Sequence, residues 1–306
     1  MTDENDQIIV NRDFVTYSSI NHSEKLISGV MTIEGDFTQL NSNNGRYNFS
    51  TNRTHKIILS GNNVQNISFA TPLYSKVTNF EINNKNPVNF KSDIYLIGTV
   101  YDNTGMVSSD KNLYISNLSQ LNEYNFSGRV YLNNNNKNLS LEQDLNVGDI
   151  TFNYLHLNGN KPSADNITVK SGIYVKGGTI ECKNNLYFET YSHFSMMNDK
   201  DYVLVGGNFT TNLHYGSSEM LTDGVLEIKE DFIQIYNSDF ICKENHVTIL
   251  SGKKVPSGRE YIQTIKFQNP GTSKFNILKI TKPQYKVLDS SLQMIFQLKM
   301  SDLNTN

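Results

Sequence analysis

The chain has 306 residues, 37% of them hydrophobic, a formal net charge of −3, and 17 Tyr and 16 Phe. So many aromatic residues with so little net charge exclude an intrinsically disordered chain. The near-neutral balance and scattered lysines also exclude the basic stripe with which a nucleic-acid-binding protein neutralises phosphates.

The N terminus and the apolar runs carry no membrane signal. Residues Met1–Asp6 are acidic and polar with no apolar segment after them, so the sequence predicts no signal peptide in this chain. Runs such as Ile57–Leu59 and Tyr202–Val205 are too short to cross a bilayer, and the sequence predicts no membrane insertion.

Short β-type runs recur along the chain, separated by Gly, Asn, Asp or Ser, which favour turns. About one residue in seven is Asn, well above average usage. No stretch before about residue 285 shows apolar spacing at i, i+3 and i+4, so helices are expected to be scarce. The predicted strands, in chain order, are Ile8–Val10, Val30–Ile33, Lys56–Leu59, Ile67–Phe69, Ile94–Ile97, Leu113–Ile115, Arg129–Leu132, Leu139–Leu141, Ile150–Phe152, Tyr154–Leu157, Ile167–Val169, Ile173–Val175, Thr179–Glu181, Leu186–Phe188, Val203–Val205, Val225–Ile228, Val247–Leu250, Ile262–Phe267 and Ile277–Ile280.

Two distant stretches of the chain repeat one another, about residues 28–82 and 201–283. The offset is 195 at the first glycine (224 − 29) and 191 at the histidine (246 − 55), so one loop differs by four residues. A weaker similarity relates Asp93–Gly98 to Asp201–Gly206. The matching pairs are Gly29–Gln39 with Gly224–Gln234, His55–Gly61 with His246–Gly252, and Gln65–Phe69 with Gln263–Phe267.

Self-similarity of this kind is typical of stacked structural units. Strands of three or four residues gain stability when each pairs with the equivalent segment one coil away, and Asn-rich turns can add hydrogen-bonded ladders between coils. We therefore predict an all-β fold: a parallel, right-handed β-solenoid in a single domain over residues 1–306. An antiparallel β-sandwich is the alternative, because periodicity does not decide pairing direction. Residues 285–306 are predicted to form an irregular C-terminal cap, either a last rung or a short helix.

The repeated phrases resemble a repeat of large secreted or surface proteins of clostridia and related Gram-positive bacteria. Its pattern runs Gly-x-Leu-x-Ile-x-Gly-Asp-Phe-x-Gln, His-x-Val-x-Leu-Ser-Gly, Gln-x-Ile-x-Phe and Phe-Asn-x-Leu-x-Ile. This chain departs from it at Glu230, where Gly35 and the pattern have glycine, and at the inserted loop Lys253–Glu260. The resemblance implies a bacterial exterior and a β-rich repeat without assigned chemistry. The chain is more distantly similar, in architecture, to the β-helical cellulose-binding adhesins called tāpirins.

Residues with catalytic or metal-binding chemistry occur singly. His55 and His246 occupy equivalent repeat positions, which indicates a packing or turn role. Asp36 and Asp231 also repeat, and such residues usually bond the backbone. The closest approach to an acidic cluster is Asp199-Lys200-Asp201. No His-x-x-x-His, Cys-x-x-Cys or His-Glu-x-x-His spacing occurs, so we predict no metal and no cofactor.

The two cysteines, Cys182 and Cys242, are expected to be buried thiols, with one disulfide as the alternative.

Tyrosines give the one surface feature with binding potential, since their rings can pack on sugars or on a partner protein. The candidate ligand-binding residues are Tyr187, Tyr191, Tyr202, Tyr215 and Tyr236.

The predicted function is a non-catalytic structural or adhesive module, extracellular or at the cell surface. It is expected to be a monomeric part of a larger chain, with a polysaccharide or a surface protein as partner. A carbohydrate-binding module is the first alternative. A glycan-degrading β-helix enzyme, which would need two converging carboxylates, is the second.

Overall fold

The computed structural model describes residues 1–18, 20, 22–41, 49–213, 220–236, 239–252 and 263–281. These residues form 26 β-strands, two single-turn 3-10 helices (Leu118–Gln120 and Asn122–Tyr124) and no α-helix. The predicted all-β class is confirmed.

The chain divides into two compact units, one of Met1–Asn133 with Asn146–Ile150, the other of Asn134–Leu145 with Thr151–Asn306. Strand β14 (Leu145–His156) contributes residues to both. Whether residues 1–306 behave as a single domain stays a prediction.

The strands of the first unit are short, and most have three or four residues. They are β1 (Gln7–Val10), β2 (Phe14–Thr16), β3 (Val30–Ile33), β4 (Phe37–Gln39), β5 (Lys56–Leu59), β6 (Gln65–Phe69), β7 (Lys76–Val77), β8 (Asn79–Ile82), β9 (Val88–Phe90), β10 (Ile94–Leu96), β11 (Val100–Asp102), β12 (Asn112–Ile115) and β13 (Asn125–Leu132). They stack in three parallel rows, β1-β3-β5-β8-β11, β2-β4-β6-β9 and β7-β10-β12-β13.

The second unit has the same construction. Its strands after β14 are β15 (Pro162–Ala164), β16 (Asn166–Tyr174), β17 (Thr179–Cys182), β18 (Leu186–Phe188), β19 (His193–Ser195), β20 (Tyr202–Val205), β21 (Phe209–Thr211), β22 (Val225–Ile228), β23 (Phe232–Gln234), β24 (Val247–Leu250), β25 (Ile265–Phe267) and β26 (Ile277–Ile280). One row runs β15-β17-β20-β22-β24-β26 and a second runs β16-β18-β21-β23-β25, while β19 pairs with the end of β16.

Pairing direction and coil length identify the fold. All the pairings in these rows are parallel, and each joins a strand to its equivalent one coil later. Thr179 lies opposite Tyr202 and Tyr202 opposite Val225, so these coils have 23 residues (202 − 179 and 225 − 202). The predicted parallel β-solenoid is confirmed and the antiparallel sandwich is wrong. The right-handed sense stays a prediction, and the predicted cap at 285–306 lies outside the described residues.

One predicted strand, Leu139–Leu141, is wrong. Only Ser140 forms a bridge there, to His156. The Asn-rich residues before it turn on their own side chains, since the backbone N–H of Asn136 donates to Asn134 Oδ1 at 2.6 Å. Local side-chain bonds of this kind compete with strand pairing.

Side chains alternate between the interior and the surface along each strand. In β22, Leu226 and Ile228 are buried whereas Val225 and Glu227 are half-buried on the outer face. The same alternation in successive coils gives each unit an apolar core, as a period of two requires.

The two sequence copies have matching aromatic cores. In the first copy, the ring centroid of Phe37 lies 5.3, 4.8 and 5.0 Å from those of Phe14, Phe49 and Phe69. In the second copy, the centroid of Phe232 lies 5.5, 4.9 and 5.2 Å from those of Phe209, Phe240 and Phe267. The repeat is therefore a copy of a packed core as well as of a strand pattern.

The departure at Glu230 has a structural counterpart. The backbone N–H of Gly35 donates to the carbonyl of Arg12, and a Cβ on Gly35 would lie 2.4 Å from that backbone. In the second copy Glu230 makes the same bond, at 3.1 Å, to the carbonyl of Gly207. The second copy thus carries its glycine on the facing coil, where a backbone without Cβ can shift more freely.

Candidate functional site

A hydrogen-bonded ladder of polar side chains runs along one corner of the second unit, just before the strands of the second row. The backbone N–H groups of Asn185, Asn208, Asp231 and Thr264 each donate to the side-chain oxygen one coil earlier. The distances are 3.1 Å to Asn166, 3.0 Å to Asn185, 2.9 Å to Asn208 and 2.7 Å to Asp231. The expected Asn ladder is confirmed.

The first unit has the same ladder. The N–H of Asp36 donates to Asp13 Oδ1, and the N–H of Asn66 donates to Asp36 Oδ1, both at 2.8 Å. Asp36 and Asp231 are therefore backbone acceptors between coils, as predicted.

Asp201, in the only acidic cluster that the sequence indicated, is held in the same way. It is 1% exposed and accepts bonds from the backbone N–H groups of Gly177, Met197 and Asn198. Asp199 lies exposed in the turn before it. These bonds leave Asp201 a structural carboxylate.

The equivalent of Asp201 in the first copy is Asp6, which accepts from the N–H groups of Thr2 and Asp3 at 2.8 and 3.1 Å. Asp93, which the weaker repeat matched to Asp201, instead accepts from Asn112 N–H in the next coil at 3.0 Å. The similarity between Asp93–Gly98 and Asp201–Gly206 therefore does not extend to the role of the aspartate.

The repeated histidines are buried. His55 Nδ1 lies 2.9 Å from the carbonyl oxygen of Ser28, and His246 Nδ1 lies 2.9 Å from that of Asp223. Since a carbonyl only accepts, Nδ1 carries the proton and donates. Burial lowers the pKa of both imidazoles. The predicted structural role is confirmed.

Both cysteines are free and buried, so the disulfide alternative is wrong. Complete burial raises the pKa of the Cys242 thiol. A thiol with a raised pKa is a poor nucleophile, because the thiolate is the reactive form.

Three of the five candidate tyrosines belong to one row of strands. Tyr187 lies on the outer face of β18, and Tyr191 follows β18 in a turn. Tyr236 follows β23, two coils later in the same row. Tyr191 and Tyr236 are each 67% exposed and have positive φ, 65° and 56°. Tyr215 lies outside the described residues.

Tyr202 is separated from these three, because it lies on β20 in the other row. Its hydroxyl donates to Glu227 Oε2 at 2.7 Å. Burial and this carboxylate raise the pKa of Tyr202 to about 12. Its hydroxyl is already used within the protein.

A tyrosine ladder in the first unit escaped the sequence reasoning. The rings of Tyr95, Tyr114 and Tyr131 stack on β10, β12 and β13, with centroids 4.5 and 4.7 Å apart. The 19- and 17-residue spacings (114 − 95 and 131 − 114) are coil lengths, and this was the signal that could have located the ladder. Because the rings cover one another's faces, Tyr114 has no open face to pack on a sugar.

Among the residues that the structure describes, no group of three or more His, Cys, Asp or Glu side chains could hold a metal ion. Across that same part of the chain, no helix has the length and apolar character needed to cross a membrane. No family model, curated protein or solved structure matches this chain.

Proposed function

We propose that this chain is a non-catalytic structural or adhesive β-solenoid module of an extracellular or cell-surface bacterial protein. The observation that carries the proposal is the use made of the repeated polar side chains. Asp36 and Asp231, and His55 and His246, bond the backbone of a neighbouring coil in both copies. Side chains that satisfy the backbone in this way support a scaffold role.

The location and partners rest on the sequence. The repeat resembles surface proteins of Gram-positive bacteria, which supports an exterior location within a larger chain. A polysaccharide or a surface protein is the partner that such a module would bind.

The test is an activity assay on a panel of soluble and insoluble polysaccharides, read as new reducing ends and as unsaturated products. We expect no turnover. Reproducible cleavage of any polysaccharide, lost on Asp199→Asn, would overturn the proposal in favour of the glycan-degrading alternative.

A carbohydrate-binding function is the second candidate, favoured by the exposure of Tyr191 and Tyr236 on one row. Sedimentation with cellulose, chitin and peptidoglycan tests it, with Tyr191→Ala and Tyr236→Ala as variants. Tyr202→Phe is the matched control, since that hydroxyl is bonded within the protein. Saturable binding lost only in the two alanine variants supports this candidate, whereas absence of sedimentation removes it and leaves the scaffold role.

A further inference from the structure

A second aromatic surface lies in the second unit, on the outer face of β14, β16 and β19. The rings of His156 and Tyr174 stack with centroids 4.3 Å apart and planes 13° from parallel. Beside them, Tyr154 leans over Gly172, where a Cβ would lie 3.2 Å from Tyr154 Cδ1 and 3.3 Å from His193 Cβ. Gly172 therefore makes room for the Tyr154 ring on the sheet surface.

Two lysines border this surface. The ammonium of Lys137 lies 5.8 Å from the centroid of the Tyr154 ring, a cation–π distance. The backbone of the same residue is fixed, since its carbonyl oxygen lies 2.8 Å from His156 Nε2. Lys176 is exposed in the turn after β16, and its charge contributes, after burial, to lowering the pKa of His156.

The charges on Lys137 and Lys176 are not neutralised by ion pairs. Among the described residues, neither ammonium lies within salt-bridge distance of a carboxylate. Two other lysines of the same unit do: Lys161 pairs with Glu181 at 3.1 Å and Lys183 with Asp165 at 2.9 Å. The basic aromatic face, defined as Lys137, Tyr154, His156, Tyr174 and Lys176, therefore presents two uncompensated positive charges beside exposed ring surface.

We propose that the basic aromatic face binds an acidic polysaccharide of the polyuronate class. Carboxylates of the glycan would meet Lys137 and Lys176, and sugar rings would pack on Tyr154 and Tyr174. The coils are stacked about 4.8 Å apart, so the three coils of this face span about 10 Å, enough for a short stretch of extended glycan. The inference rests on the adhesive function proposed above and names the ligand of one surface.

A polyuronate fits this face better than a nucleic acid does. Binding to a polyphosphate gains most of its affinity from many simultaneous cationic contacts. Here only two lysines border the face, and the whole chain carries a net charge of −3. Ring surface with two charges suits a ligand of lower charge density.

Affinity gel electrophoresis in gels containing polygalacturonate tests the proposal, with hydroxyethyl cellulose gels run in parallel. The double variant Lys137→Ala/Lys176→Ala removes the two charges of the face. Lys161→Ala/Lys183→Ala is the matched control, because it removes two ion-paired lysines from the same unit. Thermal melts check that both variants are folded.

We expect the apparent Kd for polygalacturonate to rise about tenfold or more in the first variant and less than about threefold in the control. Equal losses in both variants, or no retardation of the wild-type protein, would overturn the proposal. Tighter binding of single-stranded DNA through the same two lysines would overturn the ligand class. Retardation by hydroxyethyl cellulose alone would refute this inference while leaving the adhesive function intact.

Discussion

His55 and His246 are folded into sites that accept only the neutral imidazole. In both, Nδ1 donates to a carbonyl, and Nε2 is buried without a hydrogen-bond partner among the described residues. Protonation would place a charge at that atom, and an unpaired buried charge is costly. The lowered pKa of each histidine makes the fold sensitive to acid.

Stability is therefore expected to depend on pH in a definite direction. The unfolded histidines take up protons near pH 6.5 and the folded ones only at lower pH. The contribution of each histidine is thus complete above about pH 6.5, and it falls below that by up to about 1.4 kcal/mol per pH unit. Urea unfolding between pH 8 and pH 5 measures it.

The variant His55→Asn/His246→Asn is the control for this dependence, because the Asn amide can donate as Nδ1 does but does not titrate. We expect a shallower loss of unfolding free energy between pH 6.5 and pH 5 in the variant. An unchanged slope would show that these two histidines do not carry the effect.

Thr211 offers a second test at the level of one side chain. It is fully buried on β21, and in the described part of the chain its Oγ1 has no hydrogen-bond partner. Thr211→Val should raise the free energy of unfolding by about 1 kcal/mol, because it removes a buried, unsatisfied hydroxyl. The outward-facing neighbour gives the control: Thr210→Val should change stability by less than about 0.5 kcal/mol. A loss of stability in Thr211→Val would mean that the hydroxyl is bonded in solution.

Between strands, close contact of successive coils depends on particular glycines. Gly224 precedes β22 with φ of 78°, and a Cβ there would lie 2.6 Å from the carbonyl oxygen of Asp201. Gly29 has the same φ and the same close approach, to Asp6. In both copies the aspartate and the glycine meet where one coil passes over the other.

Gly224→Ala is expected to lower the free energy of unfolding by about 2–4 kcal/mol, from the positive φ and the backbone clash together. Gly271→Ala is the matched control, since nothing lies within 4 Å of a Cβ there. Denaturant titration of both variants measures the difference. Equal stabilities would mean that the coils can separate at Gly224 without cost.

Strand bounds follow from the sequence where inward and outward residues alternate. Val30–Ile33, Leu186–Phe188 and Val225–Ile228 are predicted with the bounds that they have. Phe37–Gln39 and Phe209–Thr211 are not predicted, because a three-residue strand with one apolar side chain shows no alternation. Their other inward residues, Gln39 and Thr211, are polar and still buried.

At the scale of a whole unit, the first coil is less covered than its equivalent. Ile8 is 40% exposed, whereas Val203, 195 positions later, is completely buried. Val203 lies on β20, which β17 covers in parallel register. Among the described residues, β1 pairs only with β3.

Fusing a copy of residues 177–195 ahead of Met1 should cover that first coil, because it reproduces the 195-residue spacing. Burying an aliphatic side chain such as Ile8 contributes about 1.5–3 kcal/mol. We expect slower hydrogen exchange at residues 7–16, measured by mass spectrometry.

The matched control for the fusion carries Asp at the copied positions of Ile180 and Leu186, which face the core in the parent coil. It should leave exchange at residues 7–16 as in the unfused chain. Equal protection by both fusions would contradict coil-on-coil packing.

The candidate surfaces were harder to predict than the fold. Tyr187, Tyr191 and Tyr236 could be grouped by sequence because they lie in one half of the chain, but Tyr202 faces another row. The stacking of His156 on Tyr174 depends on a coil spacing of 18 residues (174 − 156), and no local pattern reveals it. Strand alternation is local, whereas surface neighbours are one coil apart.

Coils of 23 residues also have a mechanical consequence. The bonds that join coils lie along the direction in which the coils stack. A force that pulls one end of a unit in that direction therefore loads the outermost coil first, and the coils inside it remain intact. Each released coil of 23 residues returns about 80 Å of contour length. Under tension such a unit would lengthen in even steps and dissipate work at each one.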